Sequence, residues 1–238
     1  MSAPVHLEEP RVDEETGETW GLALLAGDRT GRRIARDDRR AAVRAALAAG
    51  IRAARCCRAA HETTDPVRIA ARLDVDVIWS TDAPALGSLV RIAEYGPRPA
   101  TIRVFMESVR AIHSVACSLP VPEIYVGHEL FHHLEATALR PASDLARVTL
   151  ARLGPWAWRS GVRALSEIAA HAFAQGLLDL PCFPGALDRL ARGAPGTARA
   201  PSRFEATAGR STRPGASPRC PCGWRRAANS ATLPDPLR

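Results

Sequence analysis

A chain of 238 residues, 46% of them hydrophobic, has room for one domain with appendages and enough apolar material to build a core. No run of eighteen or so apolar residues occurs, which excludes a membrane-spanning helix in the sequence reading. The net charge of +7 suggests a nucleic-acid binder only until it is divided by region. Residues 191–238 hold 9 Arg against Glu205 and Asp235, which accounts for all of it, and the preceding chain is balanced.

Residues 1–35 are acidic at first (Glu8, Glu9, Asp13, Glu14, Glu15, Glu18) and lack the basic-then-apolar plan of a secretion signal. They read as a flexible segment with a short docking element around Trp20, and the protein is expected in the cytoplasm with no membrane association. From Asp37 to about Ala60, Val43, Leu47, Ile51 and Ala54 recur at helical spacing, with arginines on the other faces. A run of charge at this spacing reads as a solvated helix face, not a phosphate contact.

Thr64-Asp65-Pro66 is a helix start, with a capping side chain and Pro in the first turn. Three strands follow in the reading, Asp76–Ser80, Leu86–Glu94 and Thr101–Phe105, with the turn-forming Gly96-Pro97-Arg98-Pro99 between the last two. They predict a small antiparallel sheet. Glu107 to Cys117 is helical by its apolar spacing, and His113 within it reads as an ordinary partly exposed histidine.

Next comes Val126-Gly-His128-Glu129-Leu130-Phe131-His132-His133-Leu134-Glu135, which contains His-Glu-x-x-His. Residues four apart sit one turn apart on a helix, so His128 and His132 can grip one metal ion together. Glu129 follows the first ligand and points at the metal's open side, where a water would sit. Zinc lowers the pKa of such a water from about 16 to about 7, and a neighbouring carboxylate can take the proton. Random placement of this chain's residues would produce the motif roughly 0.01 times, so packing alone is a poor explanation for it.

Pro141 to Pro155 reads as a connection with a short helix over Asp144–Leu153, followed by a long helix from about Ser160 to Leu180, closed by Pro181 and Pro184. From residue 191 onward, 7 Pro, 5 Gly and 9 Arg in 48 residues leave too little apolar material to fold, and the segment reads as a disordered tail. The six cysteines make no disulfide framework, and Cys220-Pro-Cys222 falls short of the four ligands a structural zinc site takes. The whole chain thus reads as three parts: the flexible segment 1–35, a metal-binding domain over 36–190 and the tail 191–238. Taken together, the elements read as mainly helical with one small antiparallel sheet.

A catalytic zinc takes three protein ligands and leaves a fourth position for water. A third ligand in the metzincin pattern is excluded, since Glu135 and Ala138 stand where its Gly and His would be. Glu167 is the strongest candidate: it interrupts an apolar helical face of Leu165, Ile168, Ala169 and Ala172, where a carboxylate is costly unless paired or metal-bound.

His128-Glu129-Leu130-Phe131-His132, followed by Glu167-Ile-Ala-Ala170-His171-Ala-Phe173-Ala174-Gln-Gly-Leu177-Leu178-Asp-Leu-Pro181, resembles the ImmA/IrrE-type metallo-endopeptidases over residues 64–184. The resemblance implies His128, His132 and Glu167 as zinc ligands and Glu129 as general base. It also implies a mainly helical α+β fold in which the small antiparallel sheet packs against the zinc helix, and a protein or peptide substrate such as a transcriptional repressor. His171 stands where that family has Asn. One turn after Glu167, it is a candidate to orient a ligand, to replace Glu167, or to stabilise an oxyanion. His133 and Glu135 lie near the site, with His133 rotated off the ligand face, either supporting a ligand from behind or facing solvent. The expectation is a zinc endopeptidase. Its rivals are a catalytically silent zinc-fold regulator that binds a protein partner, and nucleic-acid contact through the basic tail.

Overall fold

The computed structural model describes residues 16–188, except 83, 84, 87, 88, 115 and 117, and for residues 85, 86, 89 and 90 the backbone alone. The tail from residue 191 and the first fifteen residues, both read as flexible from the sequence, lie outside the described residues. The fold is α+β and mainly helical, as expected.

Its centre is a layer of three helices. Helix α6 (Arg163–Leu178) is buried on nearly every side, from Leu165 and Ile168 to Phe173 and Leu177. A helix apolar all round must be enclosed, and α6 lies between α2 (Asp38–His61) and α5 (Val121–Thr137). Small residues set the α2–α6 approach: Ala46, Ala53 and Ala54 face Ala169, Ala170 and Ala172 in one buried cluster. At Gly50 a Cβ would collide with Ala169 O and lie 2.8 Å from Phe173 N, so the two backbones touch there. The arginine face of α2 is exposed, as read, though Arg40 and Arg44 also hold Glu18 at 3.0 and 2.8 Å.

That ion pair belongs to a helix the sequence reading treated as part of a flexible segment. Helix α1 (Gly17–Gly27) starts at Thr16, whose Oγ1 accepts a hydrogen bond from Thr19 N–H at 3.2 Å, and buries Trp20 and Leu25. The docking element expected around Trp20 is this helix, and from Thr16 onward the rest of the reading of residues 1–35 as flexible is corrected. The run Trp20-Gly-Leu-Ala-Leu-Leu25 is apolar enough to be drawn into the core, while Glu18 finds the arginine face of α2.

Asp65 caps α3 (Pro66–Arg72), accepting from the N–H groups of Val67 and Arg68 at 2.9 and 3.2 Å. The chain then enters β1 (Asp76–Ser80). β2 (Ala85–Leu86) and β3 (Leu89–Val90) pair antiparallel over two rungs, so the strand expected over Leu86–Glu94 is not continuous. β4 (Ala93–Pro97) and β5 (Ala100–Phe105) follow, and the sheet order is β1-β5-β4. β4 pairs antiparallel with β5, as expected, but β1 pairs with it in parallel, so the sheet is mixed. Ile102, Val104 and Phe105 of the central strand are fully buried beside α5 and α4 (Met106–His113).

The connection after α5 also differs from its reading. In place of a helix over Asp144–Leu153, a 3-10 turn (Ala142–Leu145) leads into a hairpin of β6 (Arg147–Leu153) and β7 (Trp156–Gly161). Gly154, at φ 57°, makes the two-residue turn that such hairpins need. The long helix consequently begins at Arg163, not Ser160. Among the described residues, no helix is long and apolar enough to cross a membrane.

Candidate metal centre

Helix α5 begins where Pro120, Val121 and Pro122 allow no earlier start, and its His128 and His132 fall one turn apart as the spacing requires. Helix α6 brings Glu167 against them. His128 Nε2 lies 3.2 Å from Glu167 Oε2 and 3.2 Å from His132 Nε2, and His132 Nε2 lies 3.8 Å from Glu167 Oε2. Three donors around a tetrahedral ion at about 2.0–2.1 Å would be about 3.3 Å apart. The triangle therefore fits a metal ion. His128, His132 and Glu167 form a partly buried group that can hold one.

Electrostatics favour a cation there. Three carboxylates, Glu129, Glu135 and Glu167, surround two imidazoles. Burial, reinforced by the neighbouring histidines, pushes His128 down to about 4, so its ring is neutral, the charge state in which an imidazole ligates. His132 behaves oppositely: burial opposes its charge, but hydrogen bonds to Glu135 and Glu167 outweigh this and carry it up to about 10. A metal ion arriving at Nε2 must displace a proton, a cost the surrounding negative charge offsets. Despite burial, the hydrogen bonds from both histidines hold Glu167 well below the usual carboxylate range.

The remaining sequence candidates fall into distinct places. Glu129, adjacent to the first ligand, accepts a hydrogen bond from the backbone N–H of Tyr95 in β4. Burial pushes its carboxyl up to about 7, against the pull of His132 and that N–H. His171 is buried and turned away from the ligand triangle: its Nε2 donates to Asp188 Oδ2 at 3.2 Å. Its ring centroid sits 4.4 Å from that of His128 and 4.8 Å from that of Trp20, so it backs the first ligand as a wall. His133 does not face solvent; it is buried, and its Nδ1 shares a 3.0 Å hydrogen bond with Tyr95 Oη. His113 is exposed and lies outside the group.

Four contributors escaped the sequence reading in whole or part. Glu135 was placed near the site without a role; its Oε2 accepts from His132 Nδ1 at 3.3 Å and from Ser166 Oγ, and its Oε1 from Ala142 N–H at 2.6 Å. Its position three after His132 on the same helix face was the signal. Ser166, Tyr95 and Asp188 left no such local mark. Asp188 Oδ1 accepts from Tyr125 Oη at 3.1 Å, completing a chain from α5 to His171. A cavity of about 370 Å³, walled by Trp20, Leu24, Ala164 and Arg163, opens beside Glu167 and Asp188.

Comparison with known proteins returned no match: no family model, curated protein or solved structure matches the chain.

Proposed function

We propose that the protein is a zinc-dependent endopeptidase acting on a protein or peptide substrate. The observation that carries this reading is the placement of Glu129. Its buried carboxylate directly follows the first ligand on α5, interacts by charge with His132 and Glu167, and so stands beside the His₂Glu donor set, where a general base would meet a metal-bound water. A module that only bound metal for structure would gain nothing from a further carboxylate buried beside the ligands. The likeness of the two helices to the ImmA/IrrE-type endopeptidases supports the same reading.

His128, His132 and Glu167 would hold the zinc, which when bound supplies Lewis acidity toward a water and toward the scissile carbonyl. The chain's own residues do the rest. Glu129 takes the proton from the attacking water and hands it to the departing amine as the C–N bond breaks. Glu135 holds His132 in the tautomer that presents Nε2, and His171 walls the other ligand. The cavity beside Glu167 is wide enough for a substrate side chain, with an apolar wall in Trp20 and Leu24.

The test is hydrolysis of an unfolded protein substrate by the zinc-loaded chain. Glu129→Gln lowers turnover by about 10²–10⁴ while metal stays bound. Full activity in that variant would remove the general base from the mechanism.

A further inference from the structure

The β6–β7 hairpin carries more exposed apolar surface than its fold requires. Leu153, Trp156 and Trp158 are 82%, 78% and 73% exposed. The register pairs Leu153 with Trp156 and Ala151 with Trp158. Side chains of paired residues share a face and alternate along each strand, so both tryptophans and Leu153 lie on one face and Arg152 and Arg159 on the other. Tryptophans displayed this way mark a contact surface.

Charge and edge geometry indicate what that surface contacts. From Leu145 to Val162 there are three arginines and no acidic residue. Arg152 and Arg159 are exposed and make no ion pair among the described residues. The outer edge of β6 is partly taken, because Arg33 Nη1 donates to Thr149 O and Leu150 O at 2.8 and 3.0 Å. The outer edge of β7 makes no backbone pairing among the described residues. The hairpin is also rooted at the metal centre. Val162 N–H donates to Ser143 O at 2.8 Å, next to the Ala142 N–H that holds Glu135, and Val162 lies five residues before Glu167.

We propose that the hairpin is a docking arm for an extended segment of alternating apolar and acidic residues in the polypeptide substrate, which adds a strand to the outer edge of β7. Alternation is the essential feature. A strand laid along β7 sends successive side chains to opposite faces, so its apolar residues meet Trp156 and Trp158 while its carboxylates meet Arg152 and Arg159. A lipid surface fits less well, since a bilayer on the tryptophan face would leave both arginines pointing away from the headgroups. That the segment belongs to a substrate rests on the endopeptidase reading; the docking itself needs neither metal nor turnover.

The experiment uses the full chain carrying Glu129→Gln and a fluorescein-labelled decapeptide of alternating Val and Glu, followed by anisotropy with and without chelator. The expected result is saturable binding, unchanged by chelator. It weakens at least about tenfold with Trp156→Ala/Trp158→Ala and with Arg152→Glu/Arg159→Glu, surface changes whose folding is checked by circular dichroism. The same peptide with Lys for Glu, and a block-ordered peptide of the same composition, bind at least about tenfold more weakly. Equal binding of either control, or no binding, overturns the proposal. So does a tryptophan blue shift confined to phosphatidylglycerol vesicles, or a dimer in sedimentation that the tryptophan variants abolish. Because chelation leaves the expected signal intact, a failed metal centre and a failed docking arm are told apart.

Discussion

His132 donates its Nδ1–H to Glu135 Oε2 at 3.3 Å, three residues further along the same helix, and this fixes which nitrogen faces Glu167. The carboxylate is itself held from two other elements, by Ala142 N–H and Ser166 Oγ. A ligand oriented by a carboxylate that is oriented in turn keeps its donor aimed without reorganisation, and it is a stronger base.

Glu135→Gln therefore weakens metal binding about 10–100-fold with His128, His132 and Glu167 all present. Ser166→Ala does the same to a smaller extent, because one of three holds on the carboxylate is lost. Competitive titration against a chromophoric chelator reads both. Affinity equal to wild type in Glu135→Gln would mean that the helix alone positions His132.

Asp188 gives a pH-dependent prediction. Burial alone would raise its carboxyl, but His171, by charge and hydrogen bond, together with Tyr125, holds it below the ordinary 3.8. A carboxyl with a folded value below its unfolded one contributes stability above the unfolded value, and that contribution fades as pH falls through the folded one. Asp188→Asn should thus cost about 1–3 kcal/mol at pH 7. The gap between variant and wild type should narrow below about pH 4. Denaturant unfolding at both pH values checks it; a gap independent of pH would count against a contribution from the Asp188 carboxylate.

How much of this was legible follows from the distance over which each feature is specified. His128, Glu129 and His132 are a local pattern on one helix, and Glu167 betrayed itself as a carboxylate on an apolar face. Tyr95 reaches Glu129 only because a strand 34 residues earlier in the chain is laid beside α5, which no spacing reveals. The parallel pairing of β1 with β5 is equally non-local. The hairpin over 147–161 was misread for a different reason. Every side chain from Ala151 to Arg159 is exposed, so no buried face imposes a period of two, and the Ala, Leu and Arg content suggested a helix. Gly154-Pro155 was the signal that should have prevailed.

Helix α1 was underrated because its apolar run is short and its neighbour is acidic. Trp20 fills the space between the rings of His171 and Phe183, at 4.8 and 5.4 Å. Trp20→Ala should cost about 3–5 kcal/mol in chemical unfolding, the usual loss for a large buried aromatic. A change below about 1 kcal/mol would show that α1 is not part of the cooperative core.

The α2–α6 contact has less tolerance still. Gly50→Ala would drive a methyl group into the backbone of α6 at Ala169 and Phe173, and backbone cannot rotate aside. A loss of about 3 kcal/mol, the upper end for overpacking, is expected. The substitution should also lower metal affinity, since α6 carries Glu167. Thermal unfolding with and without zinc separates the two effects.

The central claim is that one metal ion is held by His128, His132 and Glu167, with Glu129 beside it but not bound to it. Elemental analysis of purified wild type, Glu129→Gln and Glu167→Ala, each supplied with zinc, addresses it most directly. One zinc per chain is expected in wild type and in Glu129→Gln, and loss of zinc in Glu167→Ala. Zinc retained in Glu167→Ala would contradict the ligand set, and a wild type that takes up none would leave the histidine pair as packing.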